Sequence, residues 1–226
     1  MDFFVVYGLT IISLVITLGA QIFVNSSYNK YKKVRNDRGL TGRDAARYLL
    51  DEYGLNNVKV EQVGGVLSDH YDPKSKSVRL STENYSGSSI AAVSVACHEC
   101  GHALQDKDGY VFMRIRASLV PVTNFASKAG YIAILLGCLF GAFNMIWLGI
   151  FCEVVILLFQ VITLPVEFNA SRRALRGLER AQFFNSKELR QGRIMLRAAA
   201  FTYVASVATT VIQILRLVLM YGRRND

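Results

Sequence analysis

Three long stretches almost free of charge limit what this 226-residue chain can fold into. Residues 3–24 carry no charged side chain, residues 129–165 contain one acidic side chain, and residues 198–221 contain one basic side chain. A helix needs about 20 predominantly apolar residues to cross the hydrocarbon core of a bilayer. The first and last stretches therefore each predict one span. The middle stretch is too long for one span and predicts two, with Asn144 near the turn between them.

The charges between these stretches predict how the chain is oriented. Residues 25–128 hold 15 Lys/Arg against 11 Asp/Glu, and residues 166–197 hold 8 against 3. Because lysine and arginine mark the cytoplasmic flanks of spans, both polar regions are expected in the cytoplasm and the N-terminus outside. No nucleic-acid-binding fold accompanies the positive charge. Attraction to anionic headgroups of the lipid bilayer accounts for it more simply.

The first span is predicted to be an anchor that stays on the protein. A secretory signal has positive charge before its apolar core, whereas here only Asp2 precedes it. Residues 18–20 (Leu-Gly-Ala) could serve as a cleavage site, so a processed N-terminus is the alternative.

The pentad His98-Glu99-Cys100-Gly101-His102 contains two of the three histidines in the chain. Positions i and i+4 of a helix lie on one face, so both imidazoles can bind one zinc ion while the glutamate holds a water. The flanking residues 95–97 and 103–104 carry no charge and no proline, as a buried helix requires. We predict a zinc site on a helix from about Ile90 to Gln105. A solvated helix with two unrelated histidines would leave the apolar flanks unexplained.

Four cysteines offer an alternative metal or redox chemistry. Cys97 and Cys100 form a C-x-x-C that overlaps the pentad, but no second pair or thioredoxin-like context accompanies them. They are predicted to be packing residues in a reducing compartment. Cys138 and Cys152 lie in apolar stretches and are predicted to pack there as well.

The region before the pentad predicts a helix and three strands. Thr41 is a plausible N-cap for an amphipathic helix that Gly54 ends. Strands are expected near residues 58–63, from Val66, and at residues 77–81, arranged as a small meander. The last of these precedes the pentad helix and could be an exposed edge strand that binds an extended peptide; an ordinary edge strand is the alternative.

A catalytic zinc usually has three protein ligands and one water, which leaves one ligand to find. The metzincin continuation fails, because Gln105 stands where that pattern needs glycine and no third histidine follows. Glu167 is the candidate, at the start of a helix that Pro165 could open. Two predicted spans separate His102 from Glu167, so both residues would face the same compartment.

Glu153 is the rival third ligand, since an ionisable side chain within a span indicates function. If Glu153 bound the metal, the pentad would have to enter the bilayer and the protein would be an intramembrane zinc protease. The pentad helix is short for a span. Pairing of Glu153 with Arg216 or Lys128 is therefore the favoured interpretation.

The order of these features resembles the YugP-like family of membrane zinc metallopeptidases. One span, H-E-x-x-H, two spans, the stretch Glu-Phe-Asn-Ala-Ser-Arg-Arg-Ala at 167–174 and a last span follow the family order, and residues 67–73 and 119–122 match it as well. More distantly, the chain is similar to the Ste24 and HtpX membrane peptidases, gluzincins whose third-ligand motif ends in aspartate. Ser171 stands at that position here. The histidines are therefore expected to be supported by Asn169, Ser171 or Asp106 instead.

Residues and resemblance together predict a membrane-embedded zinc metalloendopeptidase, mostly α-helical with a small β meander and a cytoplasmic zincin-like catalytic region. Zn²⁺ would be held by His98, His102 and Glu167, with Glu99 as general base. Expected partners are peptide or protein substrates, membrane proteins among them, and the lipid bilayer, with no nucleic acid. A non-catalytic membrane scaffold stabilised by zinc is the alternative, although structural zinc usually has four protein ligands.

His70 is the remaining histidine and a candidate catalytic residue. It could donate a hydrogen bond to the oxyanion of the reaction, as Tyr71 could. A structural or merely exposed turn histidine is the alternative.

The predicted organisation has five regions. In chain order they are 1–24, a transmembrane anchor; 25–128, a cytoplasmic catalytic region; 129–165, a transmembrane hairpin; 166–197, a cytoplasmic helix with the third ligand; and 198–226, a transmembrane helix and tail.

Overall fold

The computed structural model describes residues 3–222, which form seven helices and three strands. The helices are mostly long and the sheet is small, as predicted. In chain order the elements are α1 (Phe3–Tyr31), α2 (Gly42–Glu52), β1 (Lys59–Val63), β2 (His70–Asp72), β3 (Ser77–Ser81), α3 (Thr82–Ser86), α4 (Ile90–Lys107), α5 (Val111–Phe140), α6 (Phe143–Arg180) and α7 (Ser186–Tyr221).

Four helices are long and apolar enough to cross a membrane: α1, α5, α6 and α7. This confirms the predicted number of spans. The turn between α5 and α6 lies at Gly141 and Ala142, where Gly141 has a φ of 66° that ends α5. Asn144, expected at the turn, lies instead in the first turn of α6. Glycine tolerates this left-handed conformation better than asparagine, which explains the shift.

The residues fall into two compact units. The apolar unit comprises the residues up to Gln21, Arg114–Pro165 and those from Thr202 onward; the polar unit comprises Ile22–Met113 and Val166–Phe201. In the apolar unit, α5 and α6 pack closely at glycines. A Cβ on Gly149 would lie 2.3 Å from the Ile134 side chain, and one on Gly130 would lie 2.7 Å from Cβ of Cys152.

The partner predicted for Glu153 was wrong. Its carboxylate accepts a hydrogen bond from Nε2 of Gln213 at 2.9 Å. Arg216 instead donates to the hydroxyl of Thr10 at 3.0 Å. Gln213 and Arg216 lie one turn apart on α7. Their spacing in the sequence therefore does not show which of them pairs with Glu153.

Pro165 does not open a new helix, contrary to the prediction. It lies inside α6, which continues to Arg180 and carries Glu167 within it. Proline removes one backbone hydrogen bond, but the remaining bonds of a long helix can hold it together, particularly in a membrane protein. Residues 166–197 accordingly form the end of α6 and the beginning of α7 rather than a helix of their own.

The three strands form a sheet, but the predicted meander was wrong. The strand order is β1-β3-β2, with β1 parallel to β3 and β2 antiparallel to it. The second strand begins at His70 rather than Val66. The side chain of Asp69 accepts hydrogen bonds from Ser81 N at 2.8 Å and Asn84 Nδ2 at 2.8 Å. These contacts tie the start of β2 to the end of β3. In the observed order β3 is the central strand, and β1 and β2 are the edges.

The core of the polar unit lies between α2, α4 and β3. Thr41 caps α2 by accepting a hydrogen bond from Asp44 N, as predicted. Leu49, Leu50 and Leu80 are fully buried in this core. Burying a leucine side chain contributes roughly 1.5–3 kcal/mol, so this cluster holds α4 firmly against its neighbours.

Candidate metal centre

The pentad lies in the middle of α4, which begins after Ser89. The hydroxyl of Ser89 accepts a hydrogen bond from Ala92 N at 3.1 Å and caps the helix. Fourteen of the 18 residues of α4 are buried, including Glu99 and His102. The sequence therefore placed this helix within two residues of its observed end, and its histidines are held on a rigid, packed element.

The structure brings His98, His102 and Glu167 together. Oε2 of Glu167 lies 3.3 Å from Nε2 of His98 and 3.8 Å from Nε2 of His102. Glu167 is only 3% exposed. Within residues 3–222, these three form the one group of at least three His, Cys, Asp or Glu side chains that could hold a metal ion, with ligand atoms within 4.8 Å of one another.

This geometry fits a zinc ion. Two atoms that each lie 2.0–2.2 Å from a tetrahedrally coordinated zinc are roughly 3.3–3.6 Å apart. The distance from Oε2 of Glu167 to Nε2 of His98 lies at the lower end of this range, and the distance to Nε2 of His102 lies slightly above it. Two imidazole nitrogens and one carboxylate oxygen are also a donor set typical of catalytic zinc, which leaves a fourth position for water.

Both histidines have a hydrogen-bond partner on the nitrogen that faces away from Glu167. Nδ1 of His98 lies 3.2 Å from the Ser171 hydroxyl, and Nδ1 of His102 lies 3.0 Å from Oε1 of Gln105. Such partners fix the ring orientation and leave Nε2 available to a metal. Ser171, at the position of the gluzincin aspartate, was one of the three supports expected from the sequence.

Gln105 is the site residue that sequence reasoning missed. It is fully buried, and its Nε2 donates to Val166 O at 2.7 Å and to Asn169 Oδ1 at 3.1 Å. Gln105 thus links His102 to the turn of α6 that carries Glu167. Its position three residues after His102, on the same helical face, was the available signal. In the sequence alone, Gln105 excludes the metzincin pattern but gives no other sign of a contact with His102.

The other two expected supports have different contacts. Asn169 contacts Gln105 and accepts from Arg173 Nε at 2.8 Å, so it supports His102 only through Gln105. Asp106 accepts hydrogen bonds from the Tyr71 hydroxyl at 2.7 Å and from the Lys76 ammonium at 2.5 Å. Asp106 therefore ties β2 and the β2–β3 turn to the end of α4.

Gly101 explains how α4 and α6 approach closely enough for the three side chains to meet. A Cβ at this position would lie 2.5 Å from the carbonyl oxygen of Ala170. A clash with backbone cannot be relieved by a rotamer change, so any larger residue would push the helices apart. The glycine inside the pentad is therefore a requirement of helix packing in this chain.

Glu99 is buried beside the cluster but is not part of it. Burial raises the pKa of its carboxyl to about 7; His98 lowers it, Glu167 and Asp69 raise it, and His70 lowers it. A carboxyl group with a pKa near neutrality can exchange a proton at physiological pH. The side chain beside the first histidine thus has the environment that a general base needs.

His70 lies in the edge strand β2 and is exposed. Its Nδ1 is 2.8 Å from Ser68 O, and its strand contacts α4, the helix that carries Glu99. The charge of His70 lowers the pKa of the Glu99 carboxyl. Tyr71, by contrast, has a buried ring and its hydroxyl donates to Asp106. Of the two residues expected as oxyanion donors, His70 is the one with an exposed side chain near the site.

The cysteines of the pentad region are free, as expected of packing residues. Cys97 and Cys100 do not form a disulfide with each other. Both side chains are buried in the core of the polar unit. Burial raises the pKa of the Cys97 thiol to about 12 and that of Cys100 well above its usual value. Burial thus favours the protonated form of both thiols, which disfavours both redox and metal-thiolate chemistry.

Comparison with known proteins identifies the family. A family profile described as "Putative neutral zinc metallopeptidase" matches residues 6–222. The chain belongs to this family. It is also 45% identical over 218 residues to the "Putative membrane protease YugP" of Bacillus subtilis (strain 168), across 96% of this chain and 97% of that protein. No solved structure matches the chain.

Membership of the zinc metallopeptidase family confirms the resemblance seen in the sequence and agrees with the four apolar helices. The family name implies zinc. The cluster of His98, His102 and Glu167 is where the described part of this chain offers a matching donor set.

Proposed function

We propose that the chain is a membrane-embedded zinc-dependent metalloendopeptidase of the gluzincin type. The observation that carries this proposal is the convergence of the Glu167 carboxylate on the two pentad histidines, with a second, separate carboxyl group, that of Glu99, buried next to them. A structural zinc site would need only ligands. An additional poised carboxyl group is what hydrolysis requires.

His98, His102 and Glu167 would hold the zinc ion, and Ser171 and Gln105 would keep the two imidazoles oriented. When bound, zinc lowers the pKa of a coordinated water to about 7 and polarises the carbonyl group of a substrate. The protein supplies rigid placement of the three ligands, because α4 and α6 are in contact at Gly101.

Glu99 would act as the general base. Its carboxylate would accept a proton from the attacking water and later deliver it to the nitrogen of the leaving amine. The buried environment that raises its pKa toward 7 favours both steps, since the group must accept and then release the same proton.

An extended peptide is the substrate that the fold favours. Because β2 is an edge strand and carries His70 near Glu99, a substrate strand could add to its free edge and present its backbone to the site. The edge strand proposed from the sequence, near residues 78–81, is the central strand instead. Peptides and unfolded segments of proteins, membrane proteins among them, fit this mode.

His70 would donate a hydrogen bond to the oxyanion that forms during hydrolysis. His70→Ala is then expected to lower kcat about 100-fold, because removal of one such donor typically costs 10²–10³. Zinc content should be unchanged, since His70 is not among the three cluster residues. Measured kcat within twofold of wild type would assign His70 a structural role only.

Hydrolysis of an unfolded protein such as casein by the purified full chain tests the function itself. We expect activity that a zinc chelator abolishes and that added zinc restores. The scaffold alternative predicts a different result: the chelator would lower the folded fraction, but no hydrolysis would be detected at any zinc concentration.

The intramembrane alternative has no support in the described part of the chain. Among residues 3–222, Glu153 belongs to no group of three potential metal ligands, and it accepts its hydrogen bond from Gln213. Glu167 occupies the third position of the cluster instead.

We further propose that the catalytic region faces the cytoplasm of a multi-pass cell-membrane protein. The positive charge of residues 25–128 and 166–197 supports this orientation. In a Cys138→Ser background, an impermeant thiol reagent added to intact cells should label Asn144→Cys, at the α5–α6 turn, but not Lys74→Cys. Lys74→Cys should become reactive only after permeabilisation. Labelling of Lys74→Cys in intact cells would place the site outside.

A further inference from the structure

A series of side-chain hydrogen bonds runs from His102 to the surface of the polar unit. Nδ1 of His102 lies 3.0 Å from Oε1 of Gln105, and Nε2 of Gln105 lies 3.1 Å from Oδ1 of Asn169. The same oxygen of Asn169 accepts a hydrogen bond from Nε of Arg173 at 2.8 Å. Nη1 of Arg173 is also ion-paired with Asp108, the residue that ends α4. We call these five residues the His102–Arg173 network.

The chemistry of the outer members fixes which way both amide groups point. Arginine only donates hydrogen bonds, so the atom of Asn169 that faces Arg173 is its oxygen. This oxygen needs a donor from Gln105. The backbone carbonyl of Val166, which only accepts, lies 2.7 Å from the same atom of Gln105 and needs a donor as well. The nitrogen of Gln105 therefore faces α6, and its oxygen faces His102.

The orientation of Gln105 decides which nitrogen of His102 carries the proton. Because Oε1 of Gln105 only accepts, Nδ1 of His102 donates and is protonated. A neutral imidazole then has its lone pair on Nε2, the nitrogen that lies 3.8 Å from Oε2 of Glu167 and that a metal would bind. His98 differs, since the Ser171 hydroxyl beside its Nδ1 can donate or accept. That contact alone does not fix the proton of His98.

Arg173 performs a task that water at the same place would not. Gln105 is fully buried and Asn169 is half-buried, whereas the Arg173 side chain is 24% exposed. Water in place of Arg173 could bond to either end of the Asn169 amide, because water both donates and accepts. The guanidinium group can bond only to the oxygen, and its ion pair with Asp108 holds it there.

We propose that Arg173 is a positioning residue for the metal ligand His102. It holds the amides of Asn169 and Gln105 in the orientation that keeps the proton of His102 on Nδ1 and leaves Nε2 available to zinc. The proposal rests on the zinc site of the proposed function but not on peptidase activity. The positive charge of Arg173 by itself repels a zinc ion. A charge effect and a positioning effect of this residue on zinc affinity therefore have opposite signs.

The zinc affinity of Arg173→Met separates the two effects. Competition of the purified full chain with a chromophoric zinc chelator should show about tenfold weaker binding than in wild type, as expected for loss of an outer partner of a ligand. Arg176→Met is the matched control, because it removes the same charge from an exposed residue of α6. It should bind zinc as tightly as wild type or more tightly.

An Arg173→Met variant that binds zinc as tightly as wild type, or an equal loss in both variants, would overturn the proposal. A wild-type chain that binds no zinc would contradict the proposed function, and this proposal with it.

Nitrogen-15 NMR of the metal-free full chain, labelled in its three histidines, reads the position of the proton directly. At a pH of about 8 the imidazoles are neutral, and the signals missing from His102→Gln identify His102. In wild type, His102 should be protonated on Nδ1 alone. Arg173→Met should add a second set of signals from the form protonated on Nε2.

A wild-type His102 protonated on Nε2, or identical His102 signals in wild type and Arg173→Met, would contradict the proposal. The wild-type spectrum decides the first point even where Arg173→Met fails to fold.

Discussion

Glu99→Gln should lower the rate of peptide hydrolysis by a factor of about 10²–10⁴ while the zinc content and the fold stay unchanged. Glutamine has nearly the same shape as glutamate but cannot accept a proton from water. Glu99 is not one of the three clustered side chains, so its replacement removes the base and leaves the proposed ligands in place. Because burial already raises the pKa of this carboxyl group to about 7, a neutral amide should also be tolerated in the folded protein.

The measurement is kcat for casein hydrolysis together with zinc content for each purified variant. Glu52→Gln is the matched control, since it makes the same chemical change on an exposed residue at the end of α2. The control should retain wild-type activity. Turnover by Glu99→Gln close to that of wild type would remove Glu99 from the mechanism.

Glu167→Gln should weaken zinc binding at least about 100-fold. Glu167 supplies the only carboxylate of the cluster and is almost completely buried. An amide oxygen is a weaker ligand for zinc and carries no negative charge. Loss of a partner that merely orients a ligand typically costs 10–100-fold in metal affinity, so loss of the ligand itself should cost more.

Competition with a chromophoric zinc chelator measures this affinity. The matched control is Glu153→Gln, which makes the same change on α6 at a residue that contacts Gln213. Its zinc affinity should equal that of wild type. The reverse pattern, in which Glu153→Gln loses zinc and Glu167→Gln keeps it, would restore the intramembrane interpretation.

Local signals in the sequence were sufficient for the helices and for the pair of histidines. Long apolar stretches predicted four spans, and the uncharged, proline-free flanks of the pentad predicted the helix that carries it. Glu167 could be predicted as the third ligand because two predicted spans, an even number of crossings, separate it from His102. These features depend on residues close together in sequence or on simple parity of crossings.

The errors concern contacts between residues far apart in sequence. β1 pairs in parallel with β3, although β2 lies between them in the sequence, and a strand pattern contains no information about such a pairing. The continuation of α6 through Pro165 depends on the length and surroundings of the helix. Likewise, Gln105 supports His102 only because α6 places Val166 and Asn169 next to it. Its role becomes visible once α4 and α6 are packed together.

The X-ray absorption spectrum of the zinc-loaded protein is the most direct test of the proposed metal site. The cluster predicts one zinc per chain with only nitrogen and oxygen neighbours at about 2.0–2.2 Å. Two of these neighbours should be imidazoles, and at least one position should be a water that an added inhibitor with a metal-binding group displaces. Sulfur at about 2.3 Å, from Cys97 or Cys100, or a closed shell of four protein ligands would contradict a catalytic site formed by His98, His102 and Glu167.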